Sequence, residues 1–145
     1  VTLTSATHTV LHIKNDDPNR LLVVSHIRAQ LIAGNASNLL TNYFELGFDR
    51  TVGSNGTAVT PVNMNRSSGV VASVTATSGE GTTPTMAGTF VSYDKFYPED
   101  GNDKNKYNKE GSLILGLTDT LEVRYVGTAT AGNAYARVTF MMIDK

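Results

Sequence analysis

Short alternations of apolar and polar residues, each cut off by a cluster of turn formers, recur from Thr7 to Ile143 and leave this chain little to fold into except β-sheet. Successive strand side chains point to opposite faces, so a period of two half-buries a strand but gives a helix no apolar stripe. The clearest case ends at Arg50: Phe44, Leu46 and Phe48 point one way, with Tyr43, Glu45, Gly47 and Asp49 opposite. In Arg20–Ala33, Leu21, Val23, Ile27, Ala29, Leu31 and Ala33 fall on one face, and His26, Arg28 and Gln30 on the other. Thr7–Lys14 precedes these strands. Val70–Thr77 puts Val70, Ala72, Val74 and Ala76 together, and Thr85–Phe96 is a mixed strand. Three more finish the chain: Ser112–Leu117 (Leu113, Leu115, Leu117), Asp119–Val126 (Leu121, Val123, Tyr125) and Tyr135–Ile143 (Ala136, Val138, Phe140, Met142).

The breaks carry turn chemistry. Asn15-Asp16-Asp17-Pro18-Asn19 cannot continue a ladder, and Asn55-Gly56 in Gly53–Gly56 accepts the positive φ of a tight hairpin turn. Gly34–Asn38 and Ser78–Thr83 read as loops, and the polar run Tyr97–Lys106 reads as a surface loop. Roughly eight strands at even spacing imply an all-β, two-sheet antiparallel jelly-roll-like sandwich. The alternative is an immunoglobulin-like sandwich, whose buried Trp and Cys pair this chain lacks. Residues 1–145 read as a single β-sandwich domain, with Phe44, Leu46, Phe48, Leu115, Val123, Val138 and Phe140 in its core.

Composition narrows the function. Twelve basic against thirteen acidic residues give a net charge of −1, which argues against a nucleic-acid binder and its basic stripe. No apolar run approaches the roughly 20 residues of a membrane span, and Val1–Ser5 has no basic n-region, so no membrane role is expected. The absence of cysteine excludes thiolate chemistry and disulfides. Charged residues are only 17% of the chain, a composition that suits surfaces packed into assemblies, where a buried charge is costly to desolvate.

No catalytic constellation emerges. His8 and His12 lie about 13 Å apart along a strand, too far to share one metal, and His26 reads as an outward polar residue. Asp100–Asn105 resembles a calcium loop but has Lys104 where an oxygen ligand belongs and Asn105 in place of the sixth-position glycine. Neither a nucleophile elbow nor a phosphate-cradling Gly-Lys motif occurs. No cofactor, metal or enzymatic activity is therefore expected. The sequons at Asn35, Asn55 and Asn65 have no secretory signal beside them, while a shallow Asn/Tyr glycan platform is compatible with the residues present.

Two phrases carry a resemblance. Leu11–Ile27, a strand, polar turn and second strand, and Gly56-Thr57-Ala58-Val59-Thr60-Pro61-Val62-Asn63-Met64-Asn65-Arg66-Ser67-Ser68-Gly69 are similar to virion structural proteins of tailed bacteriophages, in particular head decoration (cement) and head-fibre proteins. The resemblance implies a jelly-roll-like domain on the outer capsid surface, often a homotrimer, that bridges capsomers of the major capsid protein after assembly in the host cytoplasm. A tail- or fibre-associated domain that binds receptor glycans is the alternative.

Five residues are candidates for contact with other chains. Arg66 is a lone forked donor flanked by Asn63 and Asn65, in a segment that is either an ordered connection within one subunit or a contact between subunits. Met141 and Ile143 make the last strand apolar on both faces, as if a neighbouring chain covered it.

Overall fold

The structure, a computed structural model, describes residues 1–3, 7–32, 42–64, 67, 69–97, 104–107, 113–127 and 132–145. Among them there is no helix. The strands are β1 (Thr7–Asn15), β2 (Arg20–Ile32), β3 (Tyr43–Phe48), β4 (Thr51–Ser54), β5 (Thr57–Val59), β6 (Val74–Ser78), β7 (Thr85–Ala87), β8 (Val91–Phe96), β9 (Lys104–Tyr107), β10 (Leu113–Leu115), β11 (Thr120–Val126) and β12 (Asn133–Asp144). A six-stranded sheet runs β5-β6-β1-β11-β3-β8. In the four-stranded sheet, β2 pairs with β12 along its length and with β10 and β9 near its two ends. Every pairing is antiparallel, so the expected two-sheet sandwich is present.

One apolar core lies between the sheets. The larger sheet supplies Val10, Ile13, Phe44, Leu46, Leu121, Val123 and Tyr125, and the smaller Leu22, Val24, Ile27, Ala29, Leu31, Leu113, Leu115 and Ala134. Phe44, Leu46, Leu115 and Val123 are buried as the alternation requires, while Phe48, Val138 and Phe140 are partly buried at its margin.

Several readings of the sequence need correction. β2 does not keep one phase: the register slips between Thr139 and Phe140 of β12, which pair with His26 and Val24 and leave Ser25 as an extra residue. This bulge turns Leu22 and Val24 into the core with Ile27, Ala29 and Leu31, and sends Leu21 and Val23 to the opposite face. Asn55 and Gly56 do adopt positive φ, 62° and 80°, yet the flanking strands do not form a hairpin; β4 pairs with β7 and β5 with β6. Thr85–Phe96 is broken at Gly88, φ 91°, so that β7 joins β4 in a separate ribbon and β8 joins the larger sheet. Val70 precedes β6 and is exposed, Leu117 sits exposed in the β10–β11 turn, and 104–107 form β9 instead of a loop. Gly34–Asn38, Asn35 and Asp100–Asp103 lie outside the described residues.

The Asn15–Asn19 turn fixes one end of the sandwich. Asn15 is fully buried and donates from Nδ2 to the carbonyls of Arg20 (3.0 Å) and Leu115 (2.9 Å), while its Oδ1 accepts from the Asp17 amide. Asp17 accepts from the Asn19 and Arg20 amides and from Arg20 Nε at 2.7 Å. The Asp16 amide reaches Ser73 and its carboxylate accepts from Thr75, while Lys145 bonds to the carbonyls of Pro18 and Asn19. A polar turn thus ties β1, β2, β6, the β10–β11 turn and the C-terminal residue together.

Candidate functional site

Two places combine unusual side chains. The first is the outer face of the β10-β2-β12 sheet at the end held by the Asn15–Asn19 turn. Ile114, Val23 and Met141 stand in one cross-strand row, and Ile143 lies opposite Leu21. Met141 is 56% exposed and Ile143 43%, and Ile114 across β2 is exposed as well. The apolar two-sidedness of β12 is therefore real, and Met141 and Ile143 are exposed on its outward side.

The β5–β6 connection is a second exposed apolar segment. Val62 and Met64 are 73% exposed and Val71 82%, and Asn63 closes the segment by donating from Nδ2 to the Val70 carbonyl at 3.0 Å. Arg20, opposite Asp144 at the end of β12, also reaches the Val71 carbonyl at 3.4 Å, which ties the foot of this arm to the end of the sandwich held by the Asn15–Asn19 turn. Asn65 and Arg66 lie outside the described residues.

The second place is a polar layer on the outer face of the larger sheet. Thr77, His12, Glu122, Gly47 and Ser92 form one cross-strand row, and Thr9, Arg124, Glu45 and Lys95 the next. Arg50, before β4, and Phe90, after β7, lie over it. Gly47 makes this roof possible: a methyl there would clash with the Phe90 ring edge, and Arg124 stacks over the same ring at 3.5 Å from its centroid. Gly47→Ala is expected to lift Phe90 and cost about 1–3 kcal/mol, as overpacking does. An unchanged urea midpoint would show that the roof is not held there.

Burial makes this layer electrostatically tight. Glu45 Oε2 accepts from Arg124 Nε (3.0 Å) and Nη2 (2.7 Å), and Oε1 accepts from Ser92 at 2.5 Å. Burial pushes the Glu45 carboxyl up, but the Ser92 bond, Arg124 and Lys95 together hold it below the ordinary range. In the neighbouring group, Thr9 donates to Glu122 Oε1 at 2.6 Å, and Arg50 Nη1 lies 3.5 Å from Oε2. His12 Nε2 bonds to the Arg50 carbonyl at 2.9 Å, which puts the ring proton on Nε2. Desolvation lowers the His12 pKa, so the ring is held neutral. His12 Nδ1, Arg50 Nε, Glu122 Oε2 and nearby Thr120 Oγ1 are the buried side-chain atoms without a hydrogen-bond partner among the described residues.

Sequence reasoning missed this layer because period two assigns Glu45, Glu122 and Arg124 to the wet side. The available signal was opposite charge at matching alternate positions of two strands. His8 and His12 do not meet: His8 Nδ1 bonds Thr83 Oγ1 at 2.8 Å, whereas His12 faces Glu122 and Arg50. Among the described residues no group of three or more His, Cys, Asp or Glu side chains could hold a metal ion.

Comparison with protein-family models, with curated proteins and with solved structures found no match. Surface geometry alone bears on what this chain does. Its polar layer is roofed, so the accessible chemistry is that of the open sheet face and the arm.

Proposed function

We propose that this chain is a non-enzymatic virion structural protein, a head decoration protein that stabilises a phage capsid by bridging capsomers. The observation that carries the reading is the exposed apolar side chains Ile114, Met141 and Ile143 on the outer face of the smaller sheet. Surface of this kind, rimmed by polar residues, belongs against another protein. The likeness of Leu11–Ile27 and Gly56–Gly69 to decoration proteins supplies the partner, a major capsid protein. The Leu11–Ile27 phrase also contains the turn that organises the contact end.

A homotrimer fits this role, since three copies of a weak contact act together through effective concentration. Light scattering at micromolar concentration should give three times the 15.5 kDa chain mass. A wild-type mass of one chain would remove the trimer. Electron cryomicroscopy of particles carrying the protein should place it on the capsid lattice. Density confined to the tail tip would instead favour a glycan-binding domain, a reading to which the exposed Tyr135 beside Gln30 lends the aromatic platform.

A further inference from the structure

The open face changes character along β12. Four residues before Met141, about 13 Å away at strand rise, Arg137 stands directly opposite Arg28 of β2, and both are exposed. On its other side Arg28 pairs with Lys106 of β9, which places three cationic residues at one register of three adjacent strands. The next register sets Tyr135 opposite Gln30, with Lys104 beyond it. A shallow cleft of about 280 Å³ opens here, lined by Arg28, Ala29, Gln30, Tyr135, Ala136 and Arg137. Like charges directly opposed on a sheet repel, and neither arginine has a carboxylate partner among the described residues. Elsewhere in this protein the buried or half-buried arginines are matched: Arg20 by Asp17, Arg50 by Glu122 and Arg124 by Glu45.

We infer that the Arg28–Arg137 row is a docking site for the carboxylates of an acidic segment on a partner protein. Each guanidinium offers a planar fork that fits a carboxylate bidentately. Tyr135 adds a rigid aromatic wall and Gln30 an amide. The remainder of the face selects protein over nucleic acid, because phosphates would satisfy the cations and leave Met141 and Ile143 uncovered. Arg, Tyr and Met together are the residues protein interfaces favour. The partner is thus a surface whose acidic residues lie about 13 Å from an apolar contact. The inference rests on the contact-surface reading for its apolar half only.

A fluorescent hexaglutamate peptide tests the cationic half on the folded full chain. Wild type should bind it at low salt and release it as salt rises. Arg28→Gln combined with Arg137→Gln should weaken binding at least tenfold, and the double Lys variant should fall between. Without peptide, the Gln variant should melt at or above the wild-type temperature, because a repulsion has been removed; a purely structural arginine pair would lower it. Binding unaffected by the double substitution, no binding to wild type, or tighter binding of an oligonucleotide of equal charge would each overturn the inference. Hexaglutamate binding and light scattering are read separately: a wild-type mass of one chain with binding intact removes the trimer and leaves the acidic site, and absent binding in a protein that forms the trimer removes the acidic site alone.

Discussion

Phe44→Ala is expected to lower stability by about 3–5 kcal/mol, the range found when a fully buried Phe is truncated. Phe44 is wholly buried at the centre of a three-strand row, paired with Tyr125 on β11 and Phe96 on β8. It stacks on Phe96 with ring centroids 5.4 Å apart and meets the Tyr125 edge at 6.0 Å, contacts that add to area burial. Strand pairing on both sides restricts collapse around the lost ring, so the cavity should persist. Phe140, only partly buried beside the Ser25 bulge, should cost clearly less on the same truncation. Urea unfolding at unchanged m-value separates the two. Equal midpoints for Phe44→Ala and wild type would mean that β3 does not face the core as described.

The strand content and the inner face of the sandwich were legible because period two is a local property. Leu121, Val123 and Tyr125 needed only their own spacing to be placed. What failed was non-local. Nothing within Arg20–Ala33 announces that Ser25 is an extra residue; the bulge exists only against Thr139 and Phe140. The Asn55-Gly56 dihedrals were legible, but which strand each neighbour would pair with was decided by β6 and β7. The exposed apolar end was half legible. Met141 and Ile143 stood out as surplus apolar residues, whereas the Arg28–Arg137 opposition required the register of β2 on β12. The polar layer was hidden because Gly47, unremarkable in the sequence, admits the Phe90 roof that buries Glu45 and Glu122.

That roof gives the second large expected effect. Glu45→Ala would leave the Arg124 guanidinium, stacked beneath Phe90, without its carboxylate, and would leave Ser92 without an acceptor. Removing one member of a buried ion pair typically costs about 3–5 kcal/mol, and the lower end applies because Arg124 keeps some solvent contact. Glu45→Gln keeps the shape and should cost less while removing a titration. The Glu45 carboxyl is held below its ordinary 4.5, so the folded state favours the ionised form. Its contribution is complete above that value and disappears as pH falls through the lower folded-state pKa. His12 and His8 act in a higher window. Burial lowers both below 6.5, which for His12 outweighs the Arg50 carbonyl and Glu122 and is assisted by the charges of Arg50 and Lys14. The folded state thus favours neutral rings, and stability falls as pH drops below 6.5 toward their folded-state values. Wild-type stability should therefore decline in two steps on acidification, one beginning near 6.5 and one below 4.5. Glu45→Gln should reduce the lower step and leave the upper one, and His12→Gln the reverse. Urea midpoints measured from pH 8 to pH 3 decide the matter: a Glu45→Gln profile parallel to wild type throughout would show that Arg124 does not hold this carboxylate in the folded protein.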